Sequence, residues 1–405
     1  MKKLLSSLIV GVLAVGGLGT SAPSTVYATE AMCDNDAVGY PCSNGSYGSW
    51  TYRSGYSGDQ NGDDRLARND SYRWYHWDYD YSYNNPELSV WLNNSDFTNP
   101  AANYFIKNSS GHYSVGDINQ NTAPGGWSYI GAVSGSMNGV DVTQHGDYAN
   151  TYTGADMVNL YSLPTASVNH LTDQTYHTNS AIASIQKKML NAVDHYQNIQ
   201  GSFHIHFQNN GQNETVEFQV DEGKIPGSHV KVTKANGTVF ETKSNGKEQL
   251  VMNHQKEQFS KSKVAPQKEF NGPRHFTNEK GQSVFVQRQD PASAYVAKEV
   301  TFPQNYAFWL RNKENKVVGH DKMFNRDITV IEGKHNEYLS KKLGATTYKM
   351  WVDTETGVLL KLIGTDQNGD EAYHIKVQDI QFNQGINAQQ FAPEVPKSWE
   401  KMKKK

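Results

Sequence analysis

Apolar and polar residues alternate in short stretches through the first half of the chain, after an apolar N-terminal run. Leu88, Val90 and Leu92 form one such stretch, and turn-forming residues cluster between stretches, as at 108–111 and 124–126. A period of two places every second side chain on the same face of a β-strand. Short strands between regular turns predict an antiparallel β-sandwich of the jelly-roll kind.

The second half of the chain begins with apolar residues at helical spacing. They recur three or four residues apart and define one face over four turns. The residues of this face are Ile182, Ile185, Met189, Val193 and Tyr196. Thr178, Asn179 or Ser180 can cap the helix, because each side-chain oxygen accepts a hydrogen bond from a free backbone N–H. We expect Gly201 to end it.

Alternating strands follow this helix. Phe203, Ile205 and Phe207 share one strand face, with polar residues on the other. The same alternation recurs at Val216, Phe218 and Val220, at Tyr348, Met350 and Val352, and at Val358, Leu360 and Leu362. Asn368-Gly369 is a strong hairpin motif. The pattern predicts an α+β half with a one-sided antiparallel sheet and a helix on its apolar face.

The N-terminal run has the features of a secretory signal peptide over residues 1–28. Two lysines precede an apolar stretch, and Val26-Tyr27-Ala28 supplies a small-x-Ala cleavage pattern. An uncleaved N-terminal anchor is the alternative. No second apolar segment follows in the sequence, so we expect a secreted, extracytoplasmic mature chain without a transmembrane segment.

Charge divides the remaining chain into two parts. Residues 30–165 carry 15 acidic and 5 basic side chains, whereas residues 166–405 carry 26 acidic and 31 basic ones. A composition break of this size indicates a domain boundary. The predicted organisation is a first domain over 29–165, a linker over 166–178, a second domain over 179–400 and a basic tail over 401–405. Because the first domain is strongly acidic, nucleic acid is not an expected partner.

Aromatic and glycine-containing motifs mark the first domain between Tyr72 and Tyr161. In chain order they are Trp74 with Trp77, Val90-Trp91, Ala102 with Tyr104, Asn119-Gln120, Gly125-Gly126-Trp127-Ser128-Tyr129-Ile130-Gly131 and Gly154-Ala155-Asp156-Met157-Val158. With these motifs the domain resembles golvesin-like domains, which are extracellular jelly-roll modules attached to other secreted units. The resemblance implies a binding or adhesive module.

A second set of motifs extends from about residue 180 to residue 400. It comprises the helix leading into Tyr196-Gln197-Asn198-Ile199-Gln200-Gly201-Ser202-Phe203, then Tyr348-Lys349-Met350-Trp351-Val352-Asp353 with Gly357, Asp379-Ile380-Gln381-Phe382-Asn383, and the closing Ile386, Phe391, Pro393 and Pro396. This half resembles the lipoprotein-carrier superfold of LolA-like and RseB-like proteins. The resemblance implies a half-open antiparallel β-barrel with a covering helix, whose apolar cavity holds an acyl chain or senses a lipidated or unfolded partner.

Two groups of apolar residues are predicted to contact such a ligand. The predicted cavity walls are Phe203, Ile205, Phe207, Val216, Phe218, Trp351, Leu360 and Leu362. The predicted lid helix contributes Ile182, Ile185, Met189 and Val193. Phe302, Phe308 and Trp309 also suit the walls or the entrance of this cavity. Core packing is the alternative explanation for these side chains.

Seven aromatic residues crowd positions 72–83 of the first domain. Alternating rings on a strand can form a flat surface that stacks on sugar rings or packs a partner, because each ring is apolar with a polar tip. The predicted aromatic platform consists of Trp74, Trp77, Trp91 and Trp127. The alternative is that one strand face is sandwich core and the other is a Tyr-rich exterior.

Oxygen-bearing side chains alternate in Asp59-Gln60-Asn61-Gly62-Asp63, as they do in calcium-binding loops. The sixth position of the motif is Asp64 rather than Gly, which is a departure from that pattern. A calcium ion held by Asp59, Asn61 and Asp63 is therefore one interpretation, and an ordinary acidic loop is the other. No other cofactor is expected.

The chain has two cysteines, Cys33 and Cys42, and export permits them to form a disulfide near the N-terminus. The sequence lacks the motifs of nucleophilic, zinc-dependent and phosphate-binding catalysis. His204 and His206 lie on the same strand face, but the sequence identifies no third zinc ligand for them.

These patterns predict a secreted, non-enzymatic binding protein of the cell envelope. Its half-barrel would hold an acyl chain, a lipoprotein or a hydrophobic peptide. The alternative is an extracellular adhesive or matrix protein whose β-sandwich binds a carbohydrate, such as one of the cell wall, or another surface.

Overall fold

A computed structural model of the chain describes residues 30–402, apart from residues 40, 71, 110, 146–147, 162–170 and 269–271. The predicted signal peptide and residues 403–405 of the predicted basic tail lie outside the described residues. So do residues 166–170 of the predicted linker.

The N-terminal half contains twelve described strands. They are β1 (Glu30–Cys33), β2 (Cys42–Tyr47), β3 (Thr51–Ser54), β4 (Asp63–Asn69), β5 (Tyr72–Asn84), β6 (Glu87–Trp91), β7 (Ala102–Asn108), β8 (Gly111–Ile118), β9 (Trp127–Val133), β10 (Ser136–His145), β11 (Tyr148–Ala155) and β12 (Val158–Tyr161).

The C-terminal half adds strands and four short described helices. The strands are β13 (Asn198–Phe207), β14 (Gln212–Asp221), β15 (Gly227–Lys234), β16 (Val239–Ser244), β17 (Glu248–Asn253), β18 (Gln258–Val264), β19 (Gln267–Lys268), β20 (His275–Thr277), β21 (Ser283–Val286), β22 (Lys316–Met323), β23 (Arg326–Lys334), β24 (Thr347–Asp353), β25 (Leu359–Thr365), β26 (Glu371–Phe382) and β27 (Glu400–Lys401). The helices are α1 (Ser180–Leu190), α2 (Lys298–Thr301), α3 (Gln304–Trp309) and α4 (Glu337–Leu343).

Two sheets face each other in the N-terminal half. One contains β1, β12, β6 and β9 in that order, and the other contains β2, β5, β10, β7 and β8. Leu88 and Val158 of the first sheet share a buried core with Trp77, Ile106 and Val140 of the second. The antiparallel β-sandwich predicted for this half is therefore confirmed.

The C-terminal half is built on one long antiparallel series of strands. In the order of their pairing these are β18, β17, β16, β15, β14, β13, β26, β25, β24, β23 and β22. At its β18 end the series continues into the sandwich, because β18 pairs in parallel with β8. One face of the sheet is apolar and lies in the same core as α1. The mainly β fold class with few helices is thus as predicted.

Three short strands from the second half join the N-terminal sandwich. β19 and β21 both pair with β9, and β20 pairs with β21. The second half of the chain therefore extends the first sheet, although the break in charge predicts that all of it belongs to a separate domain. Local patterns do not identify a partner strand that lies more than a hundred residues away.

Helix α1 begins as predicted and ends earlier. Asn179 caps it, because its Oδ1 accepts hydrogen bonds from the backbone N–H groups of Ala181 (2.9 Å) and Ile182 (3.4 Å). The α-helix ends at Leu190 and is followed by a 3₁₀ turn over Ala192–Asp194. We expected Val193 on the helix face. It lies in the 3₁₀ turn instead, where its side chain is also buried.

Gly201 lies inside β13 and does not end the helix, which corrects the prediction. β26 passes so close to this position that a Cβ atom on residue 201 would overlap the carbonyl oxygen of Asp379. The pairing of β13 with β26 also shifts in register between Ser202 and Phe203. The glycine is therefore explained by the close approach of two strands.

Candidate functional site: the covered apolar face of the C-terminal sheet

Seven of the eight predicted cavity residues lie on the covered face of the C-terminal sheet. Phe203, Ile205, Phe207, Val216, Phe218, Leu360 and Leu362 are all buried within one hydrophobic core. The predicted lid residues Ile182, Ile185, Met189 and Val193 belong to the same core. The strands and α1 therefore bring the two predicted groups of residues together.

Trp351 lies on the opposite face of the sheet, which corrects its assignment to the cavity wall. Its neighbours Met350 and Val352 are fully buried, whereas Trp351 is half-buried. Successive side chains of a strand point to opposite faces, so Trp351 cannot lie on the same face as Met350 and Val352. Trp351 lines a groove of about 660 Å³. The Nζ atoms of Lys361 and Lys349 lie 4.4 Å and 5.5 Å from its ring centroid.

Helix α1 is attached at two places. The Gln186 side-chain amide donates a hydrogen bond to the carbonyl oxygen of Ala307 in α3, at 3.0 Å. The Lys188 ammonium group donates to the carbonyl oxygen of Thr354, in the turn after β24. Gly357 of the same turn packs so closely that a Cβ there would overlap the backbone of Lys188. Helix α1 is thus docked on α3 and on the β24–β25 turn.

Residues 295–310, here called the interior segment, cover most of the remaining apolar face. The segment contains a 3₁₀ turn, α2 and α3, and it contacts β14, β15, β25 and α1. Its ten buried apolar side chains are Tyr295, Val296, Ala297, Val300, Phe302, Tyr306, Ala307, Phe308, Trp309 and Leu310. The open cavity expected from the sequence is therefore filled by the chain's own residues.

Phe302, Phe308 and Trp309, which we expected near the cavity, belong to this segment, but no local sequence pattern marks the segment as a unit. Its helices have four and six residues, which is too short for a helical period to be seen. The density of apolar residues between positions 295 and 310 is the feature that could have identified it.

The interior segment is bonded to the N-terminal sandwich. The Lys298 ammonium group forms an ion pair with Asp117 at 2.5 Å. The side-chain amide of Asn305 donates to Thr122 Oγ1 at 2.9 Å, and the indole N–H of Trp309 donates to the Thr122 carbonyl oxygen at 3.1 Å. The β8–β9 loop of the sandwich therefore fixes the segment that covers the apolar face.

A groove of about 350 Å³ opens where α3 meets α4, and we call it the mouth groove. Its lining residues are Pro124, Phe285, Phe308, Trp309, Arg311, Asn312, Lys334, His335, Asn336 and Leu339. Burial lowers the pKa of His335 to about 3, so this imidazole is neutral near pH 7. The cationic groups at the groove are Arg311 and Lys334. An apolar opening with positive charge at its rim suits a ligand with an apolar chain and an anionic head.

The four residues of the predicted aromatic platform are buried, each with at most 8% of its surface exposed. Trp77 lies in the sandwich core, and Trp74 packs against Phe105 with ring centroids 5.2 Å apart. Trp91 and Trp127 form a T-shaped pair and lie in one buried cluster with apolar residues of β20 and β21. The prediction of an exposed platform is therefore wrong, because the core between the sheets, Phe105 and the apolar residues of β20 and β21 cover the four rings.

The predicted calcium loop has a different arrangement from that expected. Both carboxylate oxygens of Asp59 accept hydrogen bonds from the Asn94 amide, at 2.9 Å and 3.0 Å. Asn61 is exposed, and its amide donates to Asp34. Asp63 alone of the predicted three belongs to a close carboxylate group among the described residues, together with Asp34 and Asp36. The disulfide between Cys33 and Cys42 is present as predicted.

The structure adds a third imidazole to His204 and His206. His374 of β26 pairs with His206 in register, and its Nε2 lies 2.8 Å from Nδ1 of His204. Its Nδ1 bonds Glu371, and Nε2 of His204 bonds Asn213 at 2.9 Å. These contacts form a hydrogen-bonded network on the outer face of the sheet.

The chain matches no known protein-family model and none of the curated protein sequences. Among solved structures it is similar to LprF from Mycobacterium bovis, with 10% identity over 53% of this chain and 97% of LprF, at a TM-score of 0.30. It is similar to the MucA/MucB complex of Pseudomonas aeruginosa, with 13% identity over 53% of this chain and 60% of that chain, at a TM-score of 0.29. A Paenibacillus xanthan lyase has 18% identity over 34% of this chain and 13% of its own length, at a TM-score of 0.27.

Similarities at this level are compatible with many functions, so the function of this chain depends on its own residues. Within the described residues, no helix has the length and hydropathy needed to cross a membrane.

Proposed function

We propose that the protein is a secreted, non-enzymatic binding protein of the cell envelope. Its C-terminal half-barrel takes up an apolar chain that carries an anionic head. The mouth groove is the observation that supports this proposal most directly, because it joins an apolar opening at α3 with cations at the rim. An acyl chain, the lipid of a lipoprotein and a hydrophobic peptide ending in a carboxylate share this chemistry.

Energetics favour a local rearrangement at the mouth groove over expulsion of the whole interior segment. Burying a 16-carbon chain contributes about 12 kcal/mol at ~0.8 kcal/mol per methylene. Exposing the eight larger apolar side chains of the segment would cost roughly 12–24 kcal/mol at ~1.5–3 kcal/mol each, to which the two alanines add. The ligand therefore displaces the end of α3, around Phe308 to Leu310, and leaves α2 in place.

An extracytoplasmic location belongs to the same proposal. The Cys33–Cys42 disulfide supports it, since disulfides persist mainly outside the reducing cytosol. The N-terminal sandwich is compatible with the golvesin-like resemblance, which remains a prediction.

Palmitate binding to the purified, delipidated chain tests the proposal. We expect saturable one-to-one binding by isothermal titration calorimetry. Leu339→Trp fills the mouth groove and is expected to weaken binding at least about tenfold. Val318→Trp adds the same ring at an exposed position of β22 and serves as the matched control, with unchanged affinity. Absence of saturable binding in the parent protein contradicts the proposal.

A second pair of variants tests the cationic rim without altering the core. Lys334 and Lys316 are both exposed, but only Lys334 of the two lines the mouth groove. Lys334→Glu is expected to weaken palmitate binding about three- to tenfold, and Lys316→Glu to leave it unchanged. Equal effects of the two charge reversals would show that Lys334 does not bind an anionic head of the ligand, which contradicts this part of the proposal.

The groove at Trp351 favours a second candidate, surface binding to an anionic polymer such as an acidic glycan. A half-buried ring flanked by Lys349 and Lys361 offers stacking and positive charge on the outer sheet face. Trp351→Ala is expected to reduce retention on an acidic polysaccharide, and unchanged retention would exclude this candidate.

A further inference from the structure

Three carboxylates converge at the N-terminal end of the sandwich. Asp34 and Asp36 lie in the loop closed by the Cys33–Cys42 disulfide, and Asp63 begins β4. One oxygen from each carboxylate lies within 4.8 Å of the others. Calcium binds oxygen at about 2.3–2.6 Å, so two of its ligands lie at most about 5 Å apart. The three carboxylates meet this geometric requirement.

A buried oxygen beside these carboxylates has no hydrogen-bond donor. Asn35 is fully buried between Asp34 and Asp36 in the chain, and its Nδ2 donates to Asp63 Oδ1 at 2.8 Å. Its Oδ1 belongs to the same amide group and has no partner. An unpaired buried acceptor is unfavourable, and a cation satisfies it as well as a donor does.

A second unpaired oxygen lies behind the loop. Asp156 is 2% exposed, its Oδ2 accepts a hydrogen bond from the Gln60 backbone N–H at 3.0 Å, and its Oδ1 has no partner. Burial and, to a smaller extent, the charges of Asp59 and Asp34 raise the pKa of Asp156 to about 10, so this carboxyl group is protonated near pH 7. The unpaired Oδ1 of Asn35 can act only as an acceptor, so the partner it lacks is a donor or a cation.

The two nearby arginines are engaged with other groups. Arg53 is engaged by Asp64 at 2.7 Å and by Asp96 at 2.5 Å. The Arg65 guanidinium stacks on the Tyr52 ring, 4.5 Å from its centroid, and its Nε donates to the carbonyl oxygen of Asn35 at 3.5 Å. Within the described part of the chain, the three converging carboxylates have no ion pair with a side chain.

We propose that the N-terminal sandwich binds one calcium ion through Asp34, Asp36 and Asp63, with Oδ1 of Asn35 as a further ligand. The donor set consists of oxygen atoms, which suits a hard cation and disfavours zinc. The ion ties the disulfide loop to the start of β4, so its removal loosens the end of the sandwich.

Terbium luminescence on the full mature chain tests the site. Terbium replaces calcium at oxygen sites, and Tyr52 and Tyr75 lie close enough to the loop to sensitise its emission. We expect emission that saturates at one ion per chain and is displaced by calcium. Calcium is also expected to raise the midpoint of thermal unfolding of the chelator-treated protein by about 2 °C or more.

Two ligand variants and one control distinguish this site from loosely bound ions. Asp36→Asn changes an exposed ligand and Asp63→Asn a buried one, and each is expected to weaken calcium binding at least about tenfold. Asp80→Asn makes the same charge change at an exposed position of β5 and is expected to retain parent affinity.

If Asp63→Asn fails to fold, Asp36→Asn decides the question, since its side chain lies at the surface. No saturable binding by the parent protein overturns the proposal. Equal affinities of Asp36→Asn, Asp80→Asn and the parent overturn it too, because they indicate an adventitious ion only.

Discussion

Lys342 places an ammonium group at the junction of the two halves, where it is 3% exposed. It donates to the carbonyl oxygen of Asn94 at 3.2 Å and to the hydroxyl of Tyr338 at 2.8 Å. Burial lowers the pKa of Lys342 from 10.5 to about 7, although Asp96 opposes the shift. The charged form therefore destabilises the folded state.

The contribution of Lys342 to the stability of the protein should consequently rise with pH between about 7 and 10.5. In this window the unfolded chain binds the Lys342 proton and the folded protein does not, so the free energy of unfolding increases with pH. Lys342→Met is expected to remove about 2 kcal/mol of the increase between pH 7 and pH 9. Urea unfolding at both pH values measures it. The matched control is the exposed neighbour variant Lys341→Met, and an equal pH dependence in both variants contradicts the prediction.

Gly201 gives a second prediction at this scale. Gly201→Ala is expected to destabilise the protein by about 1–3 kcal/mol, because the added methyl group meets the backbone of β26. Gly319 in β22 has open space around its Cβ position, so Gly319→Ala is expected to change stability by less than about 0.5 kcal/mol. Chemical unfolding compares the two, and similar losses would show that the close approach is not the cause.

At the scale of elements, α1 depends on its cap and on its docking. The side chain of Asn179 accepts hydrogen bonds from two backbone N–H groups. Asn179→Ala is therefore expected to lower the free energy of unfolding by about 1 kcal/mol. Thr178→Ala, one residue earlier, is expected to cost less than about 0.5 kcal/mol. Thermal unfolding measures both. Equal losses would show that Asn179 contributes no more to the cap than its neighbour.

The elements with a clear period could be predicted from the sequence, and the others could not. The face of α1 and the alternation along β13 depend on neighbours within one segment, and Ile182 and Phe203 of these two faces are buried in the same core. The interior segment depends on contacts such as Lys298 with Asp117, nearly two hundred residues apart. Trp351 was misplaced because spacing fixes which residues share a face but not which face is covered.

Local sequence patterns also could not identify every residue of the candidate sites. The loop motif identified Asp63 as a candidate calcium ligand, but Asp34 and Asp36 join it only when the disulfide loop folds against β4. His374 likewise reaches His204 and His206 only through the pairing of β13 with β26.

At the scale of the whole molecule, the two halves are interdependent. β21 extends the N-terminal sheet by pairing with β9, and the β8–β9 loop bonds the interior segment. A fragment of residues 179–402 is therefore expected to lose the cooperative thermal transition or to unfold at a clearly lower temperature than the full chain. Calorimetry of the two proteins measures this. A fragment that unfolds cooperatively at the same temperature contradicts the interdependence.

Hydrogen exchange of the full mature chain with and without palmitate tests the central claim most directly, because it reports where the ligand acts. The account predicts altered exchange in α3 and α4, around the mouth groove, with α2 and the strands of the sandwich unchanged. Unaltered exchange in α3 and α4 at a saturating palmitate concentration would contradict it.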